Sequence, residues 1–245
     1  MGWANARRPI VVAHRGLHRE FPENSLEAFG AAWREGVEWC ECDVHASAEG
    51  EPVVLHDETL DRTTTGRGPV RDYHWRELAG LRLKTADGCE TQCRLPLLKE
   101  LVELVPGGGG LLVEVKPADR RELVRRVLDL CRGRSCVIQS FEPAPLLAAW
   151  GAGLPLALLV GRREELPYVA AAQVDAIHID HRLLDASVAG RVKSAGKVLG
   201  VWTVNAPADV RRVLSLGVEV IITDEPLAVR EIVRDKPPQI GYQNR

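Results

Sequence analysis

Four short groups of titratable residues follow or end apolar runs: His14-Arg15-Gly16, Glu41-x-Asp43, His56-Asp57 and Glu114-x-Lys116. Histidine moves protons near neutral pH, so His14 and His56 together could serve as general base and general acid for a displacement at phosphorus. The guanidinium of Arg15 offers a planar fork to phosphate oxygens, and Gly16 lets the backbone approach a ligand. Side chains alternate along a strand, so Glu41 and Asp43 share one face with Trp39 and His45, while Cys40, Cys42 and Val44 share the other. Two acids on one face repel. A divalent cation would hold them together, and oxygen donors suit Mg2+ or Ca2+. Glu114 would complete a three-carboxylate site, and Lys116, on the same face as Glu114, would be left to neutralise a phosphate oxygen. Each group alone has an ordinary structural reading, such as a capped strand-end histidine or a solvated polar face. Their joint occurrence at strand ends is what points to a site.

The elements that must position these groups alternate along the chain. Strand-like runs occur at Ile10–Ala13, Val37–Val44, Leu111–Val115, Cys136–Ser140, Leu156–Val160, Ala176–Ile179, Val198–Val204 and Val218–Thr223. Amphipathic stretches lie between them, including Ser25–Gly36, Asp119–Cys131 and a last helix near Leu227–Val233. Eight β-α repeats without a break in composition predict an α/β fold, a TIM (β/α)8 barrel. The chain of 245 residues matches the roughly 250 usual for that fold, so residues 1–245 are read as one domain. From Glu58 to Arg94 the rhythm stops. This stretch of turn residues and threonines is read as an insertion after the second strand, over the face where barrels bind substrates. Pro106–Gly110 reads as a helix-to-strand connection, and Pro237–Arg245 as a frayed tail.

A net charge of -2 gives no broad positive field for nucleic acid or anionic lipid, so an anionic substrate must be met by local charges. No run approaches the roughly 20 apolar residues of a membrane helix, and Ile10–Ala13 is too short for a signal-peptide core. A cytoplasmic location is expected. The six cysteines are read as reduced and largely packed, since Cys89-x3-Cys93 has the wrong spacing for a zinc knuckle.

The same residues resemble the glycerophosphodiester phosphodiesterase family, in its short bacterial cytoplasmic form. The matching words are His-Arg-Gly at 14–16, Pro-Glu-Asn-Ser at 22–25, Glu-Cys-Asp-Val at 41–44, Val-Val-Leu-His-Asp at 53–57 and Leu-Asp-Arg-Thr-Thr at 60–64. Val-Glu-Val-Lys at 113–116, Gln-Ser-Phe at 139–141, Trp-Thr-Val-Asn at 202–205 and Ile-Thr-Asp-Glu-Pro at 222–226 complete them, in family order. The resemblance implies a metal on Glu41, Asp43 and Glu114, and catalytic roles for His14 and His56. It also implies phosphate contact by Arg15, support from Lys116, and a supporting role for Glu23 and Asn24. The implied reaction is hydrolysis of a glycerophosphodiester to sn-glycerol 3-phosphate and an alcohol, by water or through a cyclic phosphate. Ser25 stands where the family often has threonine, and either hydroxyl can cap a helix beginning at Leu26. Leu97, Lys99 and Ala46-Ser47 depart from the family pattern in loops. Phe141 and Trp202 are read either as an apolar wall beside the glycerol or leaving group, or as core. His18, His45, His74, His178 and His181 are read as structural or surface. Two alternatives remain: a lysophospholipase D-like enzyme, which would be expected to show a membrane-docking segment, and a non-catalytic phosphodiester-binding barrel, which would be expected to have lost a histidine or metal acid.

Overall fold

The eight expected runs form eight parallel strands that close into a barrel. The computed structural model describes residues 9–116 and 121–235, so the tail expected at Pro237–Arg245 and the start of the stretch from Asp119 lie outside the described residues. In chain order the barrel strands are β1 (Ile10–His14), β2 (Trp39–Ala46), β6 (Gly110–Val115), β7 (Cys136–Ser140), β8 (Leu156–Val160), β9 (Ala176–Asp180), β10 (Val198–Trp202) and β11 (Val220–Thr223). Each pairs in parallel with the next, and β11 returns to β1 with Val11 opposite Ile221. The outer layer holds α1 (Leu26–Arg34), α3 (Leu98–Leu104), α4 (Arg121–Cys131), α5 (Pro143–Ala149), α6 (Ala186–Ser194), α7 (Pro207–Ser215) and α8 (Pro226–Arg234). After β8 the chain makes a 3-10 turn, Arg163–Tyr168, instead of an α-helix. Pro167 within it removes a donor and disfavours α-helix there.

Parallel strands in a barrel are covered on both sides, and the period-two pattern sorts their side chains. Cys40, Cys42, Val44, Val113 and Ile138 pack outward in the core shared with the helices. Trp39, Leu112, Val137, Ala157, Ala176, Val198 and Val220 fill the barrel's floor. Each cysteine of that outer core, Cys40, Cys42, Cys131 and Cys136, is buried and reduced. None of the described helices is long and apolar enough to cross a membrane.

Between β2 and β6 the chain leaves the barrel. Residues Pro52–Val54 form β3, antiparallel to the end of β2 with His45 opposite Val53, so this run is a hairpin arm and the departure starts before residue 58. There follow α2 (Trp75–Leu78) and a hairpin of β4 (Arg82–Lys84) and β5 (Glu90–Arg94). The excursion has its own core, in which Val53, Leu55, Leu60, Leu78, Leu83 and Leu95 are buried. A rigid base of this kind can hold a loop over the barrel mouth.

One tight fit inside the barrel bears on the site. His178 on β9 is fully buried, and a Cβ on Gly200 of β10 would lie 2.4 Å from its Cδ2. We expect Gly200→Ala to destabilise the fold by ~1–3 kcal/mol through overpacking, read from urea unfolding. Burial pushes the His178 imidazole down to about 3, so the folded chain resists its protonation. That stabilisation is complete above the unfolded value near 6.5 and is lost as pH falls from there toward about 3, at up to about 1.4 kcal/mol per pH unit. Unfolding midpoints measured between pH 7 and 4.5 should therefore fall less steeply in His178→Gln than in the parent.

Candidate active site

The turn after β1 is built around unusual backbone. Arg15 has φ of 56° and Gly16 of 82°, the left-handed region that costs a non-glycine residue roughly 1–2 kcal/mol. A Cβ on Gly16 would meet the Ala28 backbone at 2.7 Å, so glycine is required there both for its φ and for its contact with α1. The strained turn is held by Arg15 N donating to Glu41 O at 2.9 Å and Asn24 N donating to Arg15 O at 3.1 Å. It directs His14 and Arg15 at the end of β2. The three residues before α1 divide their work. Glu23 accepts from Arg15 Nη1 at 3.0 Å, Asn24 donates to Asp43 Oδ2 at 2.8 Å, and the Ser25 hydroxyl caps α1 by accepting from Ala28 N at 3.0 Å.

Glu41, Asp43 and Glu114 meet as expected from the strand period and from the β2–β6 register, in which Asp43 lies opposite Glu114. They are buried, and each offers an oxygen within 4.8 Å of the others. Lys116 Nζ lies 2.7 Å from Asp43 Oδ1 and 2.5 Å from Glu114 Oε1, so its ammonium is committed to the acids as well as facing the pocket. Arg15 Nε lies 3.3 Å from Asp43 Oδ2 without lining up for a hydrogen bond. Burial would raise the Asp43 carboxyl, but Lys116 and Arg15 hold it well below the usual range. Glu114 is pushed up to about 7 by burial and by Asp43, against the pull of Lys116. Burial and the charges of Asp43 and Glu114 also hold the Glu41 carboxyl well above its ordinary range. Its contacts include weak ones, Arg15 N at 3.3 Å, Gln139 Nε2 at 3.3 Å and His14 Nε2 at 4.0 Å. Two shared cations thus face three buried carboxylates, and an all-oxygen donor set with residual negative charge fits a hard divalent cation.

His14 and His56 both line the pocket beside these acids, and each is oriented by a carboxylate. His14 Nδ1 lies 2.7 Å from Asp224 Oδ1, and His56 Nδ1 lies 2.7 Å from Asp57 Oδ1. With Nδ1 donating, Nε2 is left as the nitrogen that can accept a proton. Burial lowers both imidazoles, opposed for His14 by Asp224 and for His56 by Asp43. His56 reaches the pocket through the β2–β3 hairpin, where Leu55 N donates to Asp43 O at 3.0 Å and His45 Nε2 donates to the His56 carbonyl at 3.0 Å.

From the sequence alone, Asp224 and Asn205 are assigned no role and His18 is read as structural or surface. Asp224 follows β11 and also accepts from His18 Nε2 at 3.0 Å and Asn205 Nδ2 at 2.7 Å. Asn205 is fixed in turn by Thr223 Oγ1 and by Asp224 N, both donating to its Oδ1. Burial would raise Asp224, yet the hydrogen bonds from His14 and His18 hold it well below the usual range. His18 therefore has a partner, 206 residues away, which spacing alone could not reveal. The signal that could have found Asp224 is its place at the end of the last strand, which barrel closure sets beside the first. Similarly, His178 Nδ1 donates to Gln139 Oε1 at 2.8 Å, which turns the Gln139 amide to donate to Glu41. Phe141 and Trp202 meet edge to face at 5.3 Å between centroids on the pocket wall. Phe141 is exposed at the mouth, and Trp202 Nε1 donates to the His178 carbonyl at 2.9 Å.

The fold and site together define a TIM barrel whose C-terminal mouth combines a hard-cation donor set with paired histidines and phosphate-competent cations. The glycerophosphoryl diester phosphodiesterase family model matches residues 14–228, and the chain belongs to that family. A glycerophosphodiester phosphodiesterase of Caldanaerobacter subterraneus is 30% identical over 242 residues, covering 93% of this chain and 98% of that one. Among solved structures, the glycerophosphodiester phosphodiesterase of Thermotoga maritima has a TM-score of 0.76 at 28% identity, over 93% of this chain and 100% of that one. An Oleispira antarctica phosphodiesterase, solved with the product sn-glycerol-3-phosphate, shares the fold with a TM-score of 0.82 at 24% identity, over 93% and 98%.

Replacing Asp224 by alanine should leave His14 unoriented. We expect kcat to fall by ~10²-fold, the scale of one general acid-base contribution, with a smaller change in KM, measured by steady-state kinetics.

Proposed function

We propose that this chain hydrolyses glycerophosphodiesters to sn-glycerol 3-phosphate and an alcohol such as choline or ethanolamine. The observation that carries the reading is the placement of two carboxylate-oriented histidines around one buried acid trio at the barrel mouth. Glu41, Asp43 and Glu114 would hold a divalent cation, Mg2+ or Ca2+, which when bound would polarise a nonbridging phosphoryl oxygen. Arg15 and Lys116 line the pocket and offset negative charge gathering on the phosphoryl group. Lowered by burial, His14 is neutral near pH 7, and its Nε2 takes the proton of the attacking hydroxyl or water. For His56, which is less buried, the charge of Asp43 opposes the lowering by burial, and its protonated form delivers the proton to the departing alkoxide. Phe141 and Trp202 wall the side of the pocket where the carbon portion of the substrate would pack. The buried thiols fit a reducing compartment such as the cytoplasm.

The test sets glycerophosphocholine, glycerophosphoethanolamine and a lysophospholipid side by side, with EDTA and with added Mg2+ or Ca2+. Release of sn-glycerol 3-phosphate from the water-soluble diesters, abolished by EDTA, is expected. His14→Ala and His56→Ala should each lose ~10²-fold or more in turnover. Near-parental turnover in either, or full EDTA-sensitive activity in Glu41→Ala, would overturn the scheme, and a preference for the lysophospholipid would reassign the substrate.

A further inference from the structure

The segment Leu60-Asp61-Arg62-Thr63-Thr64 belongs to the excursion between β2 and β6, and nothing described so far uses its arginine. Its turn is firmly seated. Leu60 and Thr64 are buried, and the Thr64 hydroxyl donates to Leu60 O at 2.7 Å. From this base Arg62 reaches two carboxylates that belong to different parts of the chain. Its Nε donates to Asp57 Oδ2 at 2.6 Å and its Nη2 to Asp57 Oδ1 at 2.8 Å. Its Nη1 donates to Glu23 Oε2 and its Nη2 to Glu23 Oε1, both at 2.8 Å. Four of the five guanidinium donors are thereby used, in two forked pairs. Arg62 is thus a clamp and not a ligand for substrate phosphate.

What it clamps connects to the chemistry at both ends. Asp57 Oδ1 lies 2.7 Å from His56 Nδ1, and Glu23 Oε1 accepts from Arg15 Nη1 at 3.0 Å. A continuous line of hydrogen bonds therefore runs His56, Asp57, Arg62, Glu23, Arg15. We propose that Arg62 is a positioning residue that sets His56 and Arg15 in register with each other across the pocket. This inference rests on the catalytic and phosphate-binding roles proposed above for those two residues. The hydrogen bonds from Arg62 are the largest cause holding the Asp57 carboxyl down, so without them Asp57 is a looser and more basic partner for the imidazole. Glu23, whose burial favours its neutral form, is held ionised chiefly by the Arg62 hydrogen bonds. A neutral or displaced Glu23 would release Arg15.

A residue that served stability alone would change the unfolding midpoint and leave the kinetics of the folded enzyme intact. Positioning predicts more. In Arg62→Ala, kcat on glycerophosphocholine should fall ~10-fold or more, as for loss of an outer partner, and KM should rise because Arg15 is also loosened. Arg62→Lys preserves charge and much of the packing, but one ammonium cannot fork to two carboxylates, so it should behave like the alanine variant. The losses in Arg62→Ala and Glu23→Gln should combine to less than their product in the double variant, since both break one line. Parental kcat and KM in folded Arg62→Lys or Arg62→Ala, or strictly multiplicative losses in the double variant, would overturn the proposal. An inactive parent enzyme would overturn the functional reading itself, whereas parental Arg62 variants beside an inactive His56→Ala would remove the clamp alone.

Discussion

Three carboxylates are forced together inside the barrel mouth, and most of what surrounds them answers that repulsion. Glu41, Asp43 and Glu114 cannot retreat, because adjacent strands fix their register and the floor of Trp39, Leu112 and Val137 fills the space beneath. An isolated buried carboxylate is costly, so each acid is given company. Lys116 spans two of them, Asn24 donates to Asp43, and Gln139 donates to Glu41. The left-handed turn at Arg15 belongs to the same answer, since it brings a guanidinium and a backbone N–H to the acids at the expense of backbone strain. What remains is a concentration of negative charge that a hard cation can neutralise, next to donors suited to a phosphoryl group.

Around that centre the two histidines are treated alike by unrelated parts of the chain. His14 is braced by Asp224, which arrives on the last strand. His56 is braced by its own neighbour, Asp57, which is in turn gripped from the excursion. Both imidazoles are lowered by burial, and both keep one nitrogen tied to a carboxylate. Each imidazole thus rests on a support that the chain assembles separately.

Much of this was legible in the residues. The eight strand runs and the sharing of a face by Glu41 and Asp43 follow from side-chain alternation, which acts locally and leaves a mark in any stretch of sequence. The Ser25 cap is local in the same way. The pairing of His18 with Asp224, of Gln139 with His178, and of Arg62 with Glu23 was not legible. Each joins residues 39 or more positions apart, and no periodicity encodes which side chains meet across a closed barrel. Lys116 illustrates the limit. Its face followed from alternation, but its engagement with Asp43 depends on the neighbouring strand.

Barrel closure has one further consequence. His14 lies on the first strand and its brace on the last, with 210 positions between them. During synthesis from the N-terminus, the first strand emerges long before the carboxylate that orients its histidine. The orientation of His14 therefore waits until the final β-α unit docks, and the braced imidazole is a report that the circle of strands is complete.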